Sequence, residues 1–152
     1  FYNTFARKNI VEENFWTRNV NTPEVSAWYG LAFERVCKSH IAQVKASLGI
    51  ASVSSEVYSW QVKKVDGGAQ VDIIIDRADN TINLCEVKYS EDLYSLDKEE
   101  FMKIQNRINM FKEVTATRSS VIPTMITTFG LRDGMYSDQI IAKVDMDALF
   151  VK

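Results

Sequence analysis

The sequence predicts an α/β sandwich with a mixed central β-sheet, because two kinds of hydrophobic periodicity alternate along it. Two segments repeat apolar residues at helical spacing, and shorter segments between them are rich in β-branched residues. The predicted order is one helix, three strands, a second helix and two strands, which is a layered α/β architecture.

The first predicted helix starts at Thr22 and Pro23, an N-cap residue followed by proline at the first helical position. Gly49 is a typical residue just beyond a helix end. Between them, apolar residues recur every three or four positions, and they are Phe33, Cys37, Ile41, Val44 and Leu48. The pattern predicts one continuous amphipathic helix.

Three strands follow this helix. Val53, Val57, Tyr58 and Trp60 predict the first strand, which ends at a turn over residues 66–68. The second covers residues 71–76, a run of β-branched side chains and aspartates. Polar residues 77–81 predict a hairpin loop, and residues 82–88 return as the third strand.

The second helix has a clear start signal. Asp97 and Glu100 form a capping-box pattern, and Leu96 and Phe101 form a hydrophobic staple. Its predicted core stripe consists of Phe101, Ile104, Ile108 and Phe111. Two further strands are predicted over 125–128 and 140–144, and Pro123 predicts that the first starts late or lies at a sheet edge.

Strand alternation places acidic residues at an unusual position. If Asp76 pairs with Ile82 across the hairpin, antiparallel counting puts Asp72 opposite Glu86. Two opposed carboxylates repel each other unless a cation or a shared proton intervenes. Mg²⁺ prefers carboxylate oxygens, so the pattern favours a divalent-cation site.

Lys88 and Glu34 extend this candidate site. Lys88 lies two residues beyond Glu86 on the same strand face, where an ammonium could act on a metal-bound water or on a phosphate. Glu34 lies at the border of the first helix's apolar stripe, from where it could reach the sheet. Carboxylates and a lysine converging in this way are typical of a metal-dependent phosphodiesterase.

These residues resemble the PD-(D/E)XK nuclease superfamily, the restriction-endonuclease-like fold. The pattern runs from Gly68 through Asp72 to Glu86, Val87 and Lys88, and the resemblance covers residues 28–144. More narrowly, four segments are similar to a nuclease-like domain at the C-terminus of certain prokaryotic P-loop ATPases of largely unassigned function. These segments are 29–34, 68–72, 83–89 and 127–130.

The resemblance implies roles for individual residues. Asp72, Glu86 and the Val87 carbonyl would hold Mg²⁺ (or Mn²⁺), Lys88 would act on the attacking water, and Glu34 would support the metal shell. Some relatives carry a glutamine on the following helix, and Gln105 is the candidate here. The chain departs from the pattern in having Val71 before Asp72, and it has no phosphate-binding P-loop motif, so the resemblance puts any ATPase part outside these residues.

Composition limits the alternatives. Eighteen basic against twenty acidic residues give a net charge of −2, so nucleic-acid binding would depend on a local patch, a partner or a metal. Arg107 is among the scattered basic residues that could line a phosphate groove. No apolar run is long enough for a membrane span, and the two cysteines predict free thiols in a reducing cytoplasm. His40, the only histidine, is predicted to lie at the surface or at the edge of the core rather than to be catalytic.

Two functions are therefore expected. The first is a Mg²⁺-dependent DNA endonuclease domain serving an upstream ATPase in the same polypeptide. The second is a catalytically inactive module of the same fold that binds nucleic acid or regulates the ATPase. Since residue 1 is phenylalanine, residues 1–22 are expected to be an aromatic-rich extension joined to a further domain, and residues 23–152 form the nuclease-like domain.

Overall fold

The computed structural model of the chain describes residues 22–63 and 67–151. The helices are α1 (Pro23–Ser39), α2 (Ile41–Ser47) and α3 (Lys98–Thr115), and the strands are β1 (Ser55–Val62), β2 (Ala69–Arg77), β3 (Thr81–Lys88), β4 (Ser120–Thr127) and β5 (Ala142–Asp145). Two 3-10 turns cover Ser137–Gln139 and Asp147–Phe150. Residues 1–21 of the predicted N-terminal extension lie outside the described residues, as does Asp66 of the predicted turn. No helix of the described residues is long and apolar enough to cross a membrane.

The five strands form one mixed sheet in the order β1-β2-β3-β4-β5. β1, β2 and β3 pair antiparallel, whereas β3, β4 and β5 pair parallel. The predicted mixed sheet and its α/β architecture are therefore confirmed. The connection from β3 to β4 passes through α3, as a parallel pair requires a crossover.

The first helical segment is not continuous, contrary to the prediction. His40 separates α1 from α2 with φ −116° and ψ 31°. Ser39 Oγ donates to the Val36 carbonyl at 2.9 Å, and His40 Nδ1 lies 2.8 Å from the same oxygen. The same carbonyl keeps its helical hydrogen bond from the His40 N–H at 3.1 Å, so the two side chains add contacts to the last turn of α1. His40 is thus a structural residue at a helix break.

Each face of the sheet carries its own hydrophobic core. On the α1 face, helices α1 and α2 pack on alternate strand residues, and this core includes Phe33, Cys37, Val44, Ile73, Ile75, Cys85 and Ile126. On the α3 face, helix α3 packs on the other set, and this core includes Val71, Ile74, Leu84, Ile104, Ile108, Phe111 and Met125. The predicted stripe of α3 is confirmed.

Pro123 lies in an interior strand rather than at the sheet edge. It pairs with Leu84 of β3, and β4 is covered by β5 on its other side only from Thr124 onward. Because proline has no N–H to donate, the β4–β5 pairing can begin only beyond it without losing a hydrogen bond. At Pro123, β4 is paired with β3 on one side, and its pairing with β5 on the other side starts at the next residue.

Candidate functional site

The β2–β3 hairpin has the predicted register. Asp76 pairs with Ile82, and the ladder continues to Ile73 and Cys85. Asp72 and Glu86 are the next residues along their strands, just beyond the last pair. The backbone thus brings the two acidic positions to the same end of the hairpin.

A β-bulge at Asp72 changes where its side chain lies. Opposite β1, Tyr58 pairs with Ile74 but Trp60 pairs with Val71, so Asp72 and Ile73 together face the single residue Ser59. Consequently Val71 joins the core of the α3 face, not the face of Ile73 as strict alternation predicts. A bulge of this kind re-aims a side chain and is common next to active sites.

Asp72 lies beside residues of α1 and α2. It lines a shallow cleft of about 300 Å³ together with Lys38, Ile41 and Ser59. Gln70 Nε2 donates to Asp72 Oδ1 at 2.7 Å. Lys38 also forms an ion pair with Glu34, one turn earlier in α1. Glu34, Lys38 and Asp72 are here called the α1 group.

Glu86 and Lys88 lie on the opposite face, against α3. Lys88 Nζ is 3.2 Å from Glu86 Oε1 and 2.6 Å from Glu100 Oε1. Arg107 NH1 donates to Glu86 Oε2 at 2.6 Å. The four side chains are 13 to 27% exposed, so each is largely withdrawn from water. Glu86, Lys88, Glu100 and Arg107 are here called the α3 group.

The environment of Lys88 keeps its ammonium charged. Burial lowers the pKa of Lys88, but the hydrogen bond to Glu100 and the charge of Glu86 outweigh that effect, and the pKa is raised above its usual 10.5. A general base needs a pKa near the operating pH. In this arrangement Lys88 is therefore suited to neutralising negative charge rather than to removing a proton.

The structure distributes the predicted site residues over two groups instead of one. Glu34 and Asp72 belong to the α1 group, and Glu86 and Lys88 to the α3 group. Val87, between Glu86 and Lys88, packs on the α1-face core. Within residues 22–63 and 67–151, no cluster of three or more His, Cys, Asp or Glu side chains could hold a metal ion, and no hydrogen bond joins Gln105 to either group.

Asp72 and Glu86 suit Mg²⁺ by donor type but not by position, because their side chains lie on opposite faces of the sheet. The ion is commonly held by one or two carboxylates and completes its shell with water or substrate phosphate oxygens. Asp72 and Glu86 are carboxylates at adjoining strand positions, and Asp72 makes no ion pair with another described residue. Glu86 is different, because both its oxygens already contact cationic side chains.

Sequence reasoning missed the contributions of Glu100 and Arg107 to the site. Glu100 was assigned to the capping box, and Arg107 was counted among scattered basic residues. Both share the helical stripe of the buried Ile104, with Glu100 four residues before it and Arg107 three after it. A charged residue on the buried face of a helix is the signal that identifies them.

Comparison with known proteins places the chain among uncharacterised relatives. A sequence family described as archaeal and bacterial proteins of unknown function, DUF234, matches residues 2–104. No curated protein shows a significant match. The fold is similar to the crystal structure of AF1548, a protein of unknown function, with a TM-score of 0.50 and 14% identity. That likeness covers 75% of this chain and 64% of the other, less than two thirds of its length, and concerns the fold alone.

Proposed function

The chain belongs to the DUF234 family of archaeal and bacterial proteins of unknown function. We propose that this chain is a metal-dependent nuclease domain of the PD-(D/E)XK type. The observation that carries the proposal is the pair Glu86 and Lys88, held 3.2 Å apart at the end of β3, where the hairpin register also brings Asp72. A carboxylate beside a charged lysine suits a phosphodiester substrate, whereas the Asp72 carboxylate lies on the other face of the sheet.

In this proposal each group has a defined task. By the family resemblance, Asp72, Glu86 and the Val87 carbonyl would hold Mg²⁺ or Mn²⁺, which requires the Asp72 and Glu86 side chains to come to one face of the sheet. The bound ion would supply charge stabilisation and an activated water. Lys88, which remains protonated, would neutralise charge that develops on the phosphate. Lys38 borders the cleft of Asp72 and would orient its carboxylate, and Glu34 would act through its ion pair with Lys38. DNA as substrate and an ATPase upstream in the same polypeptide are part of the proposal and come from the family resemblance.

A second function is favoured by a specific observation. Arg107 and Lys88 together neutralise Glu86 without any metal. A nuclease fold whose acidic site is satisfied by its own cations is suited to binding nucleic acid or to regulating an attached domain. This non-catalytic alternative makes different predictions for both metal binding and cleavage.

Cleavage assays with matched variants separate the two. The full-length protein is incubated with plasmid and with single-stranded DNA in Mg²⁺ or Mn²⁺, beside Asp72→Ala and Lys88→Ala. Two control variants lie outside both groups: Asp92→Ala, an exposed aspartate paired with Arg132, and Lys103→Ala, an exposed lysine paired with Glu99. Cutting that persists in the controls and is lost in both site variants supports the nuclease.

Two results would contradict the nuclease. Equal cutting by the wild type and both site variants would identify a contaminating activity. No cutting, combined with no heat of metal binding in calorimetry, would favour the non-catalytic module.

A further inference from the structure

β1 lies at one edge of the sheet and offers its outer side for pairing. Among the described residues it pairs only with β2, so the backbone N–H and C=O groups that point away from β2 have no strand partner along its eight residues. The extra residue of the β-bulge belongs to β2 and therefore does not interrupt the outer side of β1. A long, regular and unpaired edge is a template for a further strand.

The two edges of the sheet differ in how they are protected against pairing. β5, the other edge, has only four residues and carries Lys143, and both a short length and a lysine discourage pairing at an edge. β1 has eight residues, contains no proline or lysine, and exposes the side chains of Val57 and Tyr58 by 43% and 37%. β1 is therefore the edge that is suited to accepting another strand.

The charges along β1 favour a second copy of this chain as that strand. Glu56, near the start of β1, lies directly opposite Asp76 of β2, and opposed carboxylates repel each other. Tyr58 Oη donates to Asp76 Oδ2 at 3.3 Å, but no described cation forms an ion pair with either carboxylate. Lys63, which is exposed, follows the last residue of β1. The strand thus has an acidic start and a basic end, which makes it complementary to an antiparallel copy of itself.

We propose that two copies of the chain associate by antiparallel pairing of their β1 strands, which joins their sheets into one. Ser59, an exposed residue near the middle of β1, lies on the two-fold axis of this dimer and faces its own counterpart. The register places Tyr58 of each copy opposite Trp60 of the other, an aromatic cross-strand pair. It also brings Glu56 of each copy close to Lys63 of the other. The inference is independent of the proposed nuclease function.

Charge reversal tests this pairing. Sedimentation of the full-length protein at several concentrations measures the dissociation constant of the dimer for the wild type, Glu56→Lys, Lys63→Glu and the variant with both changes. Either single reversal brings like charges together and should weaken dimerisation about tenfold, and the double reversal should restore it because the opposite charges meet again. Lys143→Glu in β5 is the matched control, and it should leave the dissociation constant unchanged.

Chemical crosslinking tests the register. Ser59→Cys places a thiol at the proposed two-fold axis, where a short bis-maleimide can join two copies. The native Cys37 and Cys85 are buried and do not compete for the reagent. Lys143→Cys, at the other edge of the sheet, is the matched control. We expect a crosslinked dimer from Ser59→Cys and mostly monomer from Lys143→Cys on denaturing electrophoresis.

The outcomes decide the inference. A dimer that each single reversal weakens, that the double reversal restores and that is crosslinked through Ser59→Cys supports it. A chain that stays monomeric at every concentration overturns it, as does a dimer that the double reversal does not restore or that Ser59→Cys does not crosslink. Circular dichroism checks that each variant is folded. If one single reversal does not fold, an unchanged dissociation constant for the other overturns the inference.

Discussion

Glu100 contacts Lys88 at 2.6 Å through its carboxylate, although the capping pattern at the start of α3 predicts that this carboxylate turns back to the cap. Only half of the capping box is formed: Asp97 Oδ1 accepts a hydrogen bond from the Glu100 N–H at 2.8 Å. The backbone of Glu100 therefore belongs to the helix start, and its side chain belongs to the site.

This division of labour predicts different results for two neighbouring substitutions. Asp97→Ala removes the N-cap and is expected to lower the free energy of unfolding by about 1 kcal/mol. Glu100→Gln keeps the backbone N–H that donates to Asp97. Its effect on the free energy of unfolding should therefore come through Lys88, and should largely vanish in a Lys88→Met background. Chemical denaturation of the wild type, the three single variants and the Glu100→Gln, Lys88→Met double variant measures their free energies of unfolding. Equal effects of Glu100→Gln with and without Lys88 would contradict the contact.

Lys88 should make stability depend on pH only at high pH. Its pKa is raised in the folded state, so its contribution is fully present below the unfolded value of 10.5 and is lost as the pH rises through the folded value. The difference in free energy of unfolding between the wild type and Lys88→Met should thus stay constant around neutral pH and shrink above pH 10.5. A difference that grows as the pH rises above 10.5 would have the wrong sign for this lysine.

Arg107 and Glu86 should be energetically coupled in the absence of metal. Glu86→Gln leaves Arg107 and Lys88 without a shared counter-ion, and Arg107→Met leaves Glu86 with one cation fewer. We expect the double variant to lose less free energy of unfolding than the sum of the two single losses. The coupling free energy from this double-mutant cycle should be about 1 kcal/mol. Lys103→Met combined with Glu86→Gln is the control pair, and it should be additive.

Ala116 ends α3 in a left-handed conformation that costs free energy. Its φ is 50° and its ψ is 29°, a region that glycine adopts without strain. Ala116→Gly is expected to raise the free energy of unfolding by about 0.5–1 kcal/mol, after allowing for the greater freedom of glycine in the unfolded chain. Ala46→Gly, an identical change inside α2, should be destabilising, and stabilisation by both would point to a cause other than backbone strain.

The two cysteines should be unreactive in the folded protein. Burial raises the pKa of Cys37 and of Cys85 to about 12, so the reactive thiolate is scarce at neutral pH. In the unfolded chain the thiols have the ordinary pKa of 9.0 and ionise more readily than in the folded protein. The free energy of unfolding therefore falls as the pH rises above 9.0. Thiol labelling before and after addition of denaturant measures accessibility, and fast labelling of the native protein would contradict this burial.

Local patterns predicted the elements that depend on nearby residues. The hairpin register followed from turn residues and alternation, and the stripe of α3 followed from its spacing. The break at His40 could not be predicted because the apolar residues continue at helical spacing on both sides of it. The bulge at Asp72 was missed because it depends on how β1 pairs with β2, and alternation within one strand carries no information about its neighbour.

The composition of the α3 group could not be predicted for a related reason. Alternation placed Glu86 and Lys88 on one face, but the helix that covers this face is set by the crossover from β3 to β4. The place of Arg107 on the stripe of Ile104 indicates that it faces the sheet, but its partner Glu86 is decided only once α3 is packed there. Ion pairs between separate elements are a property of the assembled fold.

The crossover through α3 also gives the site a place in the order of folding. β1, β2 and β3 pair through short connections, whereas the β3–β4 ladder joins Thr81 to Ser120 and needs closure of the intervening helix onto the sheet, which we expect to come later. Glu86 and Lys88 lie on one side of that closure, and Glu100 and Arg107 lie on the other. We therefore expect the α3 group to be completed by a late, non-local event, and a chain that has formed the meander without docking its helix would present Glu86 without the counter-ion Arg107.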